Sequence, residues 1–567
     1  MKKQLFYITF IFILNGYSQN PLFIPSTLSG TNFNLDIQAG TKAFYTGFNT
    51  PTFGINGTFL APTLILNKGD NITLNVHNGL NTATTIHWHG LHVAAENDGG
   101  PHQIIPANTT WSPNFTVLNE AGTFWYHPHG EGKTDLQVAK GIAGFILVKD
   151  TVEAMLNLPR NYGIDDFPIL IQTKAFDVLK QIAIATEEDT ALFVNGTLQP
   201  YLDVPAQVVR LRLLNGSSMR SYMLGFTNDM TFQLIGTDGG LLDAPVSLTR
   251  LRVSPGERAE ILVDLTGKMG QSFSLKNIGA DLPNGIYGAA DVGNGMATIP
   301  DYNLNPLNGA NYDMLALNVV AQTANPITTI PSSLVAQNAW NPATVTQNRT
   351  FTFAPEVMSP ATMVEGPFVI NGKMFNIDSM DIVAHLNTVE KWKLVNNTLV
   401  AHPFHIHDMH FFLTSINGNP VPDFEKGKKD VVLVMPNEYV EFITKWEDFA
   451  DNMTPYMYHC HLLHHEDDGM MGSFLVIDTL NTSIPFSIEN EGFILFPNPT
   501  ETEFHIQSTG NESLFYLKIC DFEGRKIADF YPENEVIEVR NLAAGMYILQ
   551  CYNKKGGNIF MQKWIKR

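Results

Sequence analysis

One short pattern, present three times, constrains this chain more than any other feature. Ile55-Asn56-Gly57, Val194-Asn195-Gly196 and Ile370-Asn371-Gly372 each precede an alternating stretch that ends in asparagine. Those stretches are Thr73-Leu74-Asn75-Val76-His77-Asn78, Val209-Arg210-Leu211-Arg212-Leu213-Leu214-Asn215 and Lys391-Trp392-Lys393-Leu394-Val395-Asn396. Asn-Gly tolerates the left-handed backbone of a tight turn, and alternation marks a strand. Self-similarity of this kind signals a repeated structural unit. A chain of 567 residues is too long for one core. We therefore expect an all-β protein of three β-sandwiches, each of roughly 140–170 residues, over residues 30–160, 165–325 and 345–480. Gly and Pro are frequent, charged residues make up only 16%, and no long period of 3.6 appears, which fits that class.

The repeat also aligns the histidines. Nine residues beyond Asn78 stands His87, in His87-Trp88-His89-Gly90, and nine beyond Asn396 stands His405, in His405-Ile406-His407. The same step beyond Asn215 reaches Leu224, with no histidine. The outer units match again at His127-Pro128-His129 and His459-Cys460-His461, so the middle unit reads as a spacer. On a strand, residues i and i+2 share a face, and each pair is a two-pronged imidazole clamp. Seventeen histidines scattered at random in this chain would give about half such a pair, against the four present. Eight imidazoles from two related units imply one metal cluster.

Imidazole suits zinc, copper, iron and nickel alike. The third unit discriminates, because it adds His402, Cys460, His465 and Met470. Two histidines, one thiolate and a distant thioether form the ligand set of a blue-copper electron-transfer centre. Structural zinc usually takes more than one cysteine and rarely a methionine. Cys460 must face away from His459 and His461, so its thiolate serves one site while its two neighbours serve another.

With these motifs in hand, residues 30 to 480 resemble a three-domain multicopper oxidase, a family that includes bacterial laccases and cuprous oxidases. The resemblance implies three cupredoxin-like β-sandwiches, the second without copper, and four copper ions. It places type 1 copper on His402, Cys460, His465 and Met470, and type 2 copper on His87 and His405. The type 3 pair falls to His89, His127, His129, His407, His459 and His461. Dioxygen would there be reduced to water by four electrons. Asp98, in Asp98-Gly99-Gly100-Pro101, and Glu466 match positions that similar proteins use to supply protons. The plainer readings are a turn cap for Asp98 and a solvated side chain for Glu466. His77 and His385 read as packing or surface residues. His92, His102, His410 and His464 read as groups at the edge of the centre, with His464 a competitor of His465 that the family spacing disfavours.

The two ends carry other information. Lys2 and Lys3, the apolar run Leu5 to Leu14 and Gly16-Tyr17-Ser18 read as a signal peptide over residues 1–18, with the mature chain starting at Gln19. No other run is long and apolar enough to span a membrane. A formal net charge of −20 argues against nucleic acid or an anionic membrane as a partner, because the field repels phosphate. Three cysteines do not make a disulfide framework, and Cys520 and Cys551 are compatible with a pair or with two buried thiols. Residues 492–567, with Phe496-Pro497-Asn498-Pro499-Thr500, the turn at 521–525, Leu542-Ala543-Ala544-Gly545-Met546-Tyr547 and a basic end, resemble the C-terminal sorting domain of the Bacteroidetes type IX secretion system. That implies a small β-sandwich tail, contact with secretion machinery and a secreted or cell-surface location. The donor is open between a phenol or aromatic amine, as in laccases, and Cu(I) or another metal ion. Twenty methionines are scattered without a dense tract, which favours the phenol. A copper-binding protein without turnover is the third reading.

Overall fold

The computed structural model describes residues 20–184 and 189–478, and the tail from 493 except 499, 509–515, 522–524, 532–535, 544 and 553–557. The expected signal peptide, and the middle of the turn at 521–525, lie outside the described residues. The described residues are built from strands, with only short helical turns between them. It forms two compact units. One takes in the chain through Met374 together with Val389–Lys445 and His459–Met471; the other takes in Phe375–Thr388, Trp446–Tyr458 and Gly472–Arg567.

In the first unit the threefold repeat is visible at atomic detail. Asn56, Asn195 and Asn371 all adopt left-handed backbone, with φ of 54°, 47° and 53°. Each side chain then clips onto a neighbouring strand. Asn56 Oδ1 accepts from the Asp36 N–H at 2.7 Å while Nδ2 donates to the Asn34 carbonyl. Asn195 does the same with Leu170 and Pro168, and Asn371 with Thr352 and Thr350. The strand that receives the clip pairs in parallel with the strand carrying the second asparagine. The equivalent register partners are Ile37 with Asn78, Ile171 with Asn215 and Phe353 with Asn396.

The second asparagines are likewise one device used three times. Asn78 Oδ1 accepts from Leu80 N–H, and its Nδ2 donates to the carbonyls of Thr82 and Ile105. Asn215 makes the same bonds with Ser217, Arg220 and Val253, and Asn396 with Thr398, Val400 and Val434. All three are fully buried. A buried amide is tolerable only when its donors and acceptor are paired. These three satisfy the loop that follows the strand, and in the outer repeats that loop delivers the histidines.

The cores follow the strand period. Asn71–Asn78 alternates buried and half-buried positions, its Ile72, Leu74 and Val76 packing against Phe33, Leu35 and Ile37. The equivalent middle strand, Val208–Asn215, departs from simple alternation because it is buried on both faces. Val209, Leu211 and Leu213 enter the middle core. Arg210 and Arg212 on the opposite face are buried in ion pairs with Glu260, Glu153 and Asp166.

The second unit contains the parallel pair Ile382–His385 and Phe474–Ile477, and the tail. The tail holds a three-stranded sheet and a four-stranded sheet, around a core including Phe504, Leu517, Leu549 and Trp564. Register settles the cysteine question. Cys551 pairs with Leu517 and Cys520 with Ile548, so the two sulfurs lie on opposite faces of the sheet and both thiols are free and buried. Among the described residues no helix is long and apolar enough to cross a membrane.

Candidate metal centre

All eight paired histidines are brought together, every one buried. Their ring nitrogens fall into three groups within each of which the donor atoms lie no more than 4.8 Å apart: His87, His405 and His407; His89, His127 and His461; His129, His407 and His459. A fourth group is His402, Cys460 and His465. The opposed faces of the Cys460 strand do what alternation requires. Cys460 Sγ lies 3.4 Å from His402 Nδ1 and 3.8 Å from His465 Nδ1, while His459 Nε2 lies 3.1 Å from His129 Nε2 on the other side.

The loops are tied where they need to be. Met470 is buried, its carbonyl accepts from Cys460 N–H and its N–H donates to the His465 carbonyl, so one short loop closes on both residues. Thr398 Oγ1 meets His402 Nε2 at 2.9 Å, which leaves Nδ1 facing the sulfur. Phe368 lies against both His402 and His465. His464 points elsewhere: it is half exposed and faces Asp468 at 3.7 Å.

Nitrogen selection in the cluster is equally explicit. His87 Nδ1 bonds to the Asp98 carbonyl at 3.0 Å, and His405 Nδ1 to the Asp430 carbonyl at 2.8 Å. The other nitrogens of these rings, His87 Nε2 and His405 Nε2, are buried without a hydrogen-bond partner, as are both nitrogens of His461. Unpartnered buried imidazole nitrogens converging on one spot are what a metal cluster requires. Protonation points the same way. Burial first, then the neighbouring imidazoles, holds His89, His127, His405 and His407 well below the ordinary histidine pKa, and brings His461 down to about 3. Neutral rings are the ligating form. Burial pushes the Cys460 thiol up, so its thiolate needs a cation beside it. The donor set therefore fits copper in both places: thiolate with two imidazoles in one, imidazole alone in the other.

Both carboxylates singled out in the sequence reach the cluster. Asp98 Oδ2 lies 2.7 Å from His407 Nδ1. Glu466 is buried rather than solvated, with its oxygens 3.4 Å from His129 Nδ1 and 3.2 Å from His459 Nδ1. Of the remaining histidines, His77 meets Thr110 Oγ1 near the surface and His385 is exposed. His92 bonds to buried Asp408, His410 lies 3.6 Å from Asp430, and His102 is half-buried. Sequence reasoning missed Asp430, which touches His89 and His405, and Arg258, which holds Asp430. It also missed the middle repeat's part in the centre, since Gly256 packs so tightly on His461 that a Cβ would come within 2.8 Å of its ring. The middle repeat carries no histidine of the cluster, but it is more than a spacer.

Comparison with known proteins finds the family description "Multicopper oxidase" over residues 36–153 and 338–479, and "Secretion system C-terminal sorting domain" over 494–567. A multicopper oxidase of Staphylococcus haemolyticus is 33% identical over 459 residues, covering 78% of this chain and 88% of that protein. The cell division protein FtsP of Salmonella typhimurium is 30% identical, covering 81% and 93%. Among solved structures, a laccase-like multicopper oxidase, CueO from Ochrobactrum sp., described with activity towards lignin model compounds and lignosulfonate, superposes with a TM-score of 0.70. It is 31% identical, covering 81% of this chain and all of that one.

Proposed function

The chain belongs to the multicopper oxidase family, and from that premise we propose that it acts as a laccase, coupling one-electron oxidation of a phenol or aromatic amine to reduction of dioxygen to water. The observation that carries this reading is a pocket of about 290 Å³ that opens onto His465 and is walled by Met219, Tyr287, Ile299, Pro300, Val364, Glu365 and His464. Its size suits one substituted aromatic ring, and its walls mix the apolar Met219, Ile299, Pro300 and Val364 with the polar Glu365, His464 and His465. The relative active on lignin model compounds supports a phenolic donor.

We assign type 1 copper to His402, Cys460, His465 and Met470, type 2 to His87 and His405, and the type 3 pair to His89, His127 and His461 on one side and His129, His407 and His459 on the other. Copper, when bound, supplies single-electron acceptance at the first set and four-electron reduction of dioxygen at the cluster. The chain supplies the rest. Cys460 is one peptide bond from His459 and one from His461, so a continuous covalent path joins the two sets. Asp98 Oδ1 and both Glu466 oxygens are buried carboxylate atoms without a hydrogen-bond donor, and we assign them to hold the protons that water formation consumes. The sorting domain supports export by type IX secretion.

One observation favours a second reading. Met219, Glu365 and His464 share the pocket, and a thioether, a carboxylate and an imidazole are also a metal-ion set. Against it, of the four methionines close together in sequence at 453, 457, 470 and 471, Met457, Met470 and Met471 are buried and Met453 alone is exposed. Oxygen uptake by copper-loaded protein with a bulky phenol, with and without added Cu(II), decides. Fast uptake indifferent to added copper supports the laccase. Uptake that needs excess copper supports the metal-ion oxidase. No uptake from a fully loaded protein leaves a copper-binding protein without turnover.

A further inference from the structure

We propose that Arg258, contributed by the middle sandwich, is a positioning residue for the oxygen-reducing cluster, acting through Asp430 to select which nitrogens of His89 and His405 face the metal. The inference rests on the copper assignment above. It begins with how completely Arg258 is used. Guanidinium has five N–H donors in a rigid fork, and all five are engaged here. Nε donates to the Thr123 carbonyl; Nη1 donates to Gly256 carbonyl and to Asp430 Oδ1 at 2.6 Å; Nη2 donates to Asp238 carbonyl and to Asp430 Oδ2 at 2.5 Å. The side chain is wholly buried, so each bond is made at low dielectric, where an unmade one would be expensive.

The carboxylate so held does two things at once. Its Oδ1 lies 3.2 Å from His89 Nε2, and its backbone carbonyl takes His405 Nδ1 at 2.8 Å. The remaining nitrogens are thereby fixed as the ones turned inward: His89 Nδ1, 3.4 Å from His127 Nε2, and His405 Nε2, which has no partner in the protein. Two rings that use opposite nitrogens are thus set by one residue, and that residue by one guanidinium. Asp238 completes the frame, accepting from Arg258 N–H with Oδ1 while Oδ2 faces the Asp430 and Val431 N–H groups.

The fit is tight from the side of the first sandwich as well. Gly90, the last residue of His87-Trp88-His89-Gly90, has φ +84°, and a Cβ there would stand 2.5 Å from Asp430 Oδ2 and 2.7 Å from Arg258 Nη2. The glycine of the motif is therefore explained by the ion pair behind it. First, middle and third sandwiches meet on this one pair, which gives the copper-free repeat a chemical task.

The test compares wild type with Arg258→Lys and Asp430→Asn, both copper-loaded, by copper content per chain and by spectroscopy that separates the blue thiolate band from the cluster signals. Lysine keeps the charge but offers three donors on a flexible stem, and cannot reproduce the fork. Loss of a group that orients a metal-binding histidine typically lowers metal affinity about ten- to a hundredfold. The expected result is cluster copper weakened by that factor with altered cluster spectra, and a blue band at full strength showing that the fold and the Cys460 set are intact. Cluster copper and spectra identical to wild type in both variants would overturn the proposal. If Arg258→Lys fails to accumulate folded, Asp430→Asn, which keeps the shape and the carbonyl, decides alone with the same two outcomes. A wild-type cluster that takes up no copper would instead overturn the copper assignment itself, so the two failures are told apart.

Discussion

The middle sandwich and its outer neighbours are built on the same frame and put it to different ends. Asn215 and Asn396 hold the loops that follow them with the same three hydrogen bonds. Beyond Asn396 the loop leads into the strand His402–Ile406, which carries His402 and His405 and is followed directly by His407. Beyond Asn215 it ends in Arg220, ion-paired with Asp189, and the next strand presents Leu224 to the core. The frame is thus indifferent to chemistry. It guarantees where a side chain will stand, and the residue type at that place decides whether the place is a ligand or packing. What the middle repeat lost in histidines it kept in ion pairs, and one of these, Arg258 with Asp430, backs the cluster.

The sharpest break between the regions is Cys460→Ser. A serine hydroxyl is no soft donor, so the blue band should vanish and phenol-dependent oxygen uptake fall to that of copper-free protein. The imidazole-only cluster, with its own ligands untouched, should still take up copper. Elemental analysis beside absorption spectroscopy checks this. If cluster copper is lost as well, the two sets are not independent and the division of labour across the Cys460 strand is wrong.

A smaller effect separates frame from function. Asn215→Ala removes three buried hydrogen bonds and Asn396→Ala four, and they should lower unfolding free energy by about 3 and about 4 kcal/mol, at roughly 1 kcal/mol per bond. The two should differ in copper: Asn396→Ala loosens the loop that delivers His402 and should weaken the blue site, while Asn215→Ala should leave it unchanged. Denaturant unfolding with parallel copper titration distinguishes them. Equal loss of blue copper in both would mean that global stability, not the loop, governs the site.

How much of this was readable beforehand follows from what kind of signal each feature leaves. The repeat was legible because asparagine at a left-handed turn and asparagine at a strand end are each demanded locally, so the pattern recurs at fixed spacing. The convergence of the histidines was legible because i, i+2 histidines on a strand share a face whatever surrounds them, and because Cys460 between two of them must face the other way. Arg258 and Asp430 were not. Each is one charged residue in an ordinary strand or loop pattern, and they meet across 172 positions. Nothing local marks a charge as destined for burial in a pair. The two-sided burial of Val208–Asn215 was hidden for the same reason, since Arg210 and Arg212 mimic the solvent face of an alternating strand while pairing with Glu260 and Asp166. The tail cysteines were undecidable from their number and became decidable once the register placed them on opposite faces.

The finest comparison lies two residues past each asparagine. Thr398 Oγ1 bonds to Asn396 Oδ1 and to the Val400 carbonyl, and meets His402 Nε2. Ser217, at the equivalent place, bonds to the Tyr222 hydroxyl instead. In the third repeat the hydroxyl therefore orients the His402 ring, and in the middle repeat it satisfies a buried phenol. Thr398→Val keeps the shape and removes the bond to His402 Nε2, so the ring loses the restraint that turns Nδ1 toward the sulfur. Copper affinity of the blue site should fall about tenfold, the lower end for loss of such a partner, with a shift in the blue band and unchanged cluster spectra. Ser217→Ala should lower stability by about 1 kcal/mol and change neither spectrum. A blue band that shifts in Ser217→Ala would show that the middle repeat reaches the thiolate site too. A band untouched by Thr398→Val would show that Phe368 and the His402 strand fix the ring without the hydroxyl, and that the one-atom difference between the repeats is packing after all.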